Sequence, residues 1–402
     1  MPTRILSLLV LCSVLGSFLA ACGGGGGSSA TANTTGAAAA PASSSGAASA
    51  PLAASLPSSP AAIPQSSTPN IQPVAVAAAP GLTRNILTTS VTVCEPGTSN
   101  CATIDDIQVD TGSQGLRILA SALPAALQLP ALPSGGGAAG ECAVFGGGYT
   151  WGAVRSADVR MAGQLAASLP IQLIADPTVP SVPSDCAASG RAMQTTAGLR
   201  SNGILGVGLF AADCGSACAN SALPRWYYSC PASGACQSSI QPLAQQVANP
   251  VSAFALDNNG VVIDLPAIAD SGATVLRANS QSGYVTTVSG GQTYSQSYLD
   301  SGSNALFIAN AALPQCGLWY CPTTPLSATA SIAGTDGTSS TVAYSIGNSR
   351  TLFNSANNAF NNLAGITSNS FGWGLPFFYG RRIYTAIEAR LTSAGAGPYY
   401  AF

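Results

Sequence analysis

The chain contains no histidine, which removes the usual general base of serine and cysteine hydrolases and the commonest zinc ligand. Lysine is absent as well, so all 13 basic residues are arginines, set against 15 acidic ones. With charged residues at 7% and a net charge of -2, there is no basic patch to neutralise phosphates, and nucleic acid is excluded as a partner. Helical periodicity is scarce, and no tandem repeat of solenoid or propeller length is present. Any chemistry must come from carboxylates, hydroxyls or thiols, with no cofactor and no metal expected.

The beginning of the chain reads as an export signal. Arg4 precedes an apolar stretch from Ile5 to Ala20, which meets Leu19-Ala20-Ala21-Cys22. A run this short, ending at a small-small-Cys step, is a lipoprotein signal rather than a membrane span. Residues 1–21 are therefore expected to be cleaved and Cys22 to carry lipid, tying the protein to a membrane without spanning it. Gly23 stands where an inner-membrane retention signal would place Asp, which points to the outer membrane of a bacterial envelope. Residues 22–70 are mostly Gly, Ala, Ser, Thr and Pro, without charge or aromatic groups, too poor in apolar surface to order, and read as a flexible tether.

The remaining residues, roughly 330, exceed what one core usually supports and imply two lobes, 71–250 and 251–402. Of 12 cysteines, Cys12 and Cys22 belong to the leader, and ten are left in an oxidising compartment, where five disulfides are the natural reading. The short spacings Cys94 to Cys101, Cys214 to Cys218, Cys230 to Cys236 and Cys316 to Cys321 suggest local clips, with Cys142 and Cys186 left to pair. Short runs of Val, Ile, Thr and Tyr alternate with Gly, Pro, Ser and Asn clusters from residue 85 onward, the signature of an all-β protein. Hairpins are expected over Asn85–Val109, over Val144–Met161 with Gly146-Gly147-Gly148 near the tip, and over Val251–Asp264 with a turn at Asp257-Asn258-Asn259-Gly260.

Two aspartates recur in one local frame: Ile107-Gln108-Val109-Asp110-Thr111-Gly112-Ser113 and Ser297-Tyr298-Leu299-Asp300-Ser301-Gly302-Ser303. Each ends a strand, enters a turn and is followed by an apolar stretch. One triplet alone would mean little more than a turn; two, one per lobe, are what two-carboxylate hydrolysis requires. A pair of carboxylates a few ångströms apart cannot both ionise cheaply, so it keeps one proton over a wide pH range. One member then acts as acid while the other activates water. The glycines allow close backbone approach, Ser113 and Ser303 can hold the carboxylates coplanar, and Thr111 and Ser301 can lock the loops together.

On these residues the chain resembles the pepsin-like aspartic peptidases, and more closely an uncharacterised family of proteobacterial lipoproteins sharing the same motifs. Val144-Phe145-Gly146-Gly147-Gly148-Tyr149-Thr150-Trp151-Gly152 lies where such enzymes carry the flap hairpin. Asn202-Gly203-Ile204-Leu205-Gly206-Val207-Gly208 matches the segment bracing the first catalytic loop, and Trp373-Gly374-Leu375-Pro376 with Arg381–Glu388 resembles the second brace and final strands. The resemblance spans residues 85 to 390 and implies an all-β, bilobal fold with a cleft between the lobes. It further implies Asp110 and Asp300 as the catalytic pair, with Phe145, Gly146, Tyr149 and Trp151 near the substrate. The expected activity is peptide-bond hydrolysis on a peptide or protein substrate. Phe145 replaces the flap tyrosine and Pro376 stands where the second brace has Gly; these departures give the alternative of a catalytically silent module that binds a peptide, glycan or envelope partner. Arg381-Arg382 reads as a solvated pair in preference to a carboxylate clamp, and the aromatics from Phe371 to Tyr379 as core.

Overall fold

A computed structural model describes residues 70–77, 83–254, 258–265 and 272–402. The leader, Cys22 and almost all of the tether lie outside these residues.

The first half is built on strands β1 (Ile86–Cys94), β2 (Cys101–Asp110), β3 (Gln114–Leu119), β4 (Gly137–Phe145), β5 (Gly148–Met161), β6 (Gln164–Ile174) and β7 (Gly203–Val207). All belong to one eleven-stranded sheet. β1 is rich in β-branched residues and almost wholly buried, as a strand packed on both faces must be. The second half contains β8 (Gly260–Leu265), β9 (Gln292–Leu299), β10 (Leu306–Ile308), β11 (Leu326–Ala333), β12 (Ser339–Ile346), β13 (Ala364–Ile366), β14 (Phe371–Trp373), the short helix α1 (Leu375–Phe378), β15 (Arg381–Ala386) and β16 (Tyr399–Ala401). These strands form a nine-stranded sheet and a four-stranded one. The fold is all-β, and among the described residues no sheet combines strands from before and after residue 250.

One strand threading occurs twice. β7 lies between β2 and β3, parallel to the first and antiparallel to the second. β14 lies between β9 and β10 in the same two senses. Each inserted strand thus separates the strand that delivers an aspartate from the strand that leaves it. A single apolar core runs from Leu87 and Ile107 through Leu299 to Trp373 and Phe378. Asn85 joins the halves at the surface of this core. It adopts a positive φ of 66°, which asparagine tolerates, and its buried amide donates to the carbonyls of Asn304 and Phe360 while accepting from the Phe360 N–H and the Tyr379 hydroxyl.

All five expected disulfides form: Cys94–Cys101, Cys142–Cys186, Cys214–Cys218, Cys230–Cys236 and Cys316–Cys321. Two hairpin expectations need correction. The hairpin at Gly146-Gly147 is longer on its first side than read from sequence, because β4 begins at Gly137 and pairs with β5 up to Phe145 opposite Gly148. Residues Pro250–Ala253 are a helical turn, not a strand. Asn249 accepts the Val251 N–H with its side chain and Pro250 follows it, a start signal for a helix. Asp257 lies outside the described residues.

Because Cys142–Cys186 closes a loop of 44 residues, replacing both cysteines by serine should lower stability by about 4 kcal/mol if loop entropy dominates. The equivalent change at Cys214–Cys218 should cost clearly less. Urea unfolding of the two double variants measures the difference, and equal losses would show that native packing, not loop length, sets the effect.

Candidate functional site

Asp110 is the last residue of β2, opposite Gly206 of β7. Asp300 directly follows β9, and its N–H donates to the Trp373 carbonyl of β14 at 2.9 Å. The chain turns sharply after each. In the first turn the Gly112 N–H donates to Asp110 Oδ1 at 2.7 Å and the Ser113 hydroxyl to Oδ2 at 2.6 Å. In the second the Gly302 N–H donates to Asp300 Oδ1 at 2.7 Å and the Ser303 hydroxyl to Oδ2 at 2.7 Å.

The two turns hold each other through the residues between. Thr111 Oγ1 donates to the Leu299 carbonyl at 3.1 Å and accepts the Ser301 N–H at 3.0 Å. Ser301 Oγ donates to the Val109 carbonyl at 2.8 Å and accepts the Thr111 N–H at 3.2 Å. Gln108 adds a one-sided link, donating to the Gly302 carbonyl at 2.6 Å. The carboxylates therefore face each other, each lying against the glycine of the opposite turn. Only glycine fits beneath them: a Cβ at Gly112 would stand 2.7 Å from Asp300 Cγ, and one at Gly302 would stand 2.7 Å from Asp110 Cγ.

Burial and then the charge of Asp300 hold the Asp110 carboxyl well above the ordinary carboxylate range, against the opposing pull of Ser113 and Gly112. The pair consequently keeps a proton where isolated carboxylates have lost theirs.

The dyad lies on a cavity of about 380 Å³ with walls from both halves. Val144, Phe145 and Gly146 at the β4–β5 turn line one side, with Leu209 and Phe210 beside them; Tyr284, Tyr298 and Tyr400 come from the second half. Apart from the dyad, the lining holds no carboxylate and no arginine. Tyr298 is pushed up to about 12 by burial and then by Asp300, so it stays a neutral hydroxyl.

Phe145 and Gly146 thus reach the cavity, whereas Tyr149 and Trp151 do not. Both are buried in a separate cluster with Cys142, Cys186 and Tyr228. Trp151 donates its indole N–H to the Val179 carbonyl at 2.8 Å and meets Tyr228 edge to face. The cause is strand alternation: residues two apart share a face, and this face of β5 is turned to the disulfide-stapled interior. Pro376 likewise proves not to occupy the brace position. Gly374 does, next to the Ser303 and Ala305 carbonyls, and Pro376 sits in the first turn of α1, where no backbone donor is needed.

Sequence reasoning missed the three cavity tyrosines: Tyr298 lies inside the Asp300 frame, two residues before the carboxylate, whereas no local pattern marks Tyr284 or Tyr400. It also missed a second acidic pair behind the β4–β5 hairpin. Arg117 Nη2 meets Glu141 at 2.5 Å and Asp213 at 3.1 Å, all three side chains being almost inaccessible. Arg117 Nη1 donates to the Gln114 carbonyl at 2.6 Å, and Tyr227 donates its hydroxyl to Asp213 at 2.6 Å. The guanidinium also faces the Phe145 ring. Burial, then Glu141, raises Asp213 well above the ordinary range despite the pull of Arg117 and Tyr227. A signal was available, since Arg117 and Glu141 are the one charged residue in each of their strands.

The chain matches the family described as "Protein of unknown function (DUF3443)" over residues 66–278 and 271–402. It belongs to that family, and the matched segments contain both aspartate turns. No curated protein matches the chain.

Asp110 and Asp213 both bind protons more tightly folded than unfolded, where the reference value is 3.8. Their protonated forms favour the fold, so stability should be greatest near and below that value and fall as pH rises through the folded-state values, by up to about 1.4 kcal/mol per pH unit for each group. Denaturation midpoints measured from acidic to neutral pH check this. Asp213→Asn should remove close to one proton from the slope, and an unchanged slope would contradict the assignment.

Proposed function

We propose that this protein is an aspartic endopeptidase of bilobal, pepsin-like architecture in which Asp110 and Asp300 hydrolyse peptide bonds through a shared proton and an activated water. The observation that carries the reading is the facing of the two carboxylates, each against the glycine of the opposite turn, within two reciprocally hydrogen-bonded turns. In the ground state the pair holds one proton. Its ionised member takes a proton from a water placed between the carboxylates, and the resulting nucleophile attacks the scissile carbonyl; the protonated member donates to the carbonyl oxygen. Collapse of the tetrahedral species returns a proton to the leaving amine, and neither a covalent intermediate nor a metal is required. The extended substrate lies in the cavity between Phe145 and the tyrosines of the second half, and the β4–β5 hairpin closes over it.

The same proposal places the enzyme on a lipid anchor at Cys22 in a bacterial envelope, at the outer membrane, with residues 22–70 as the spacer. The signal-like start supports this, as does the formation of five disulfides, which fits an oxidising compartment. No helix among the described residues is long and apolar enough to cross a membrane.

A second reading is motivated by Phe145, which brings a ring and no hydroxyl to the hairpin tip: the cavity would bind a peptide, a glycan or an envelope partner without cleaving it. Incubating the mature protein with a diverse peptide library across the acidic range, followed by mass spectrometry, separates the two. The enzyme reading expects cleavage that falls by at least about a thousandfold in Asp110→Asn and in Asp300→Asn, with circular dichroism unchanged and a statine-type inhibitor competing. Retained cleavage in either variant would sink the dyad mechanism, and binding with no cleavage at any pH would favour the silent module.

A further inference from the structure

Arg381 and Arg382 are neighbours in sequence, yet strand alternation sends them to opposite faces of β15. Arg382 pairs with Asp264 at 2.8 Å across the sheet. Arg381 turns inward. Its Nη1 donates to the Phe377 carbonyl at 2.7 Å and its guanidinium lies over the Phe377 ring, 4.5 Å from the centroid. Among the described residues no carboxylate lies within ion-pair distance of it. A half-buried guanidinium without a counter-charge has lost hydration that no anion replaces.

Beside it opens a cavity of about 590 Å³, larger than the one at the dyad and sharing no lining residue with it. It lies between α1 and the β11–β12 hairpin. Its aromatic wall is formed by the half-buried Tyr344 and Tyr379, and Ser327, Thr329, Ser345 and Asn361 supply hydroxyl and amide groups. The volume is that of sites for small organic ligands, which combine apolar walls with a few polar groups that fix orientation. Charge complementarity identifies the missing partner, because an arginine with free donors at the edge of an open groove is matched best by a carboxylate.

We propose that this cavity is a binding site for a small organic carboxylate, with the carboxylate on Arg381 and the body of the ligand against the aromatic wall. The same chemistry is presented by the free C-terminus of a short peptide and by a sugar acid. The site does not depend on the activity of the dyad.

Two matched probe pairs test it in the Asp110→Asn protein, which cannot cleave them if the dyad is catalytic: N-acetyl-alanyl-alanine against its C-terminal amide, and glucuronate against glucose, each titrated by calorimetry. The expected result is that one acid binds at least about tenfold more tightly than its neutral twin, and the pair showing the preference identifies the source. Arg381→Gln should abolish the preference and Arg382→Gln should leave it. Ser345→Phe, which narrows the cavity without altering the arginine, should weaken binding and provides the test should Arg381→Gln fail to fold. Equal binding of acid and neutral twin in both pairs, no binding at all, or a preference that survives Arg381→Gln and Ser345→Phe would overturn the proposal.

Discussion

Two like charges forced into contact govern this structure. At about 4 Å and an effective dielectric near 20, two carboxylates repel by roughly 4 kcal/mol, so an unconstrained pair would swing apart. Asp110 and Asp300 are prevented from doing so by hydroxyls that do not touch them. Thr111 and Ser301 each reach past the opposing aspartate to the carbonyl just before it, and each accepts an N–H in return. Separating the turns would leave these four buried bonds unmade, at about 1 to 3 kcal/mol for each unsatisfied group. Retaining a proton is the less costly response, and the raised Asp110 carboxyl is its expression.

The cluster of Arg117, Glu141 and Asp213 meets the same problem differently. There a guanidinium stands between the carboxylates, and a tyrosine hydroxyl satisfies one of them. Arg117 Nε and one Glu141 oxygen nevertheless have no hydrogen-bond partner among the described residues, so the cluster carries a desolvation cost of its own. Its structural return is position. Arg117 holds the Gln114 carbonyl, where the chain leaves the Asp110 turn, and Glu141 belongs to the strand that leads to Phe145. The cluster thereby stiffens the link between the first aspartate turn and the hairpin beside it. It lies outside the cavity and is neutralised by its own cation, whereas the dyad faces the cavity without one.

What the sequence made legible follows from how locally each feature is encoded. The paired turns could be read because a strand, an acid, a hydroxyl and a glycine in fixed order carry their geometry with them. The short disulfides could be read because cysteines only four to seven positions apart have few other partners. Tyr149 and Trp151 were misplaced because the face of a strand depends on register with its neighbours, and one residue of phase decides between cavity and core. Tyr284, Tyr298 and Tyr400 reach the cavity from three separate segments, a convergence that no window of sequence contains. Asn85 is a similar case, since its joining role requires Asn304, Phe360 and Tyr379 to be brought to it.

The repeated threading makes the departures from symmetry informative. Gly206 and Gly374 occupy matching places beside the two turns, so the backbone is duplicated where the carboxylates are held. Around that centre the halves diverge. Gln108 links across to Gly302 with no counterpart from the second half among the described hydrogen bonds, and Val144, Phe145 and Gly146 approach the cavity from the first half while tyrosines line it from the second. Symmetric bonding brings the carboxylates together, but symmetric surroundings would give them equal claims on the shared proton. Unequal walls remove that equality, which is what the proposed mechanism needs if two chemically identical groups are to take different parts.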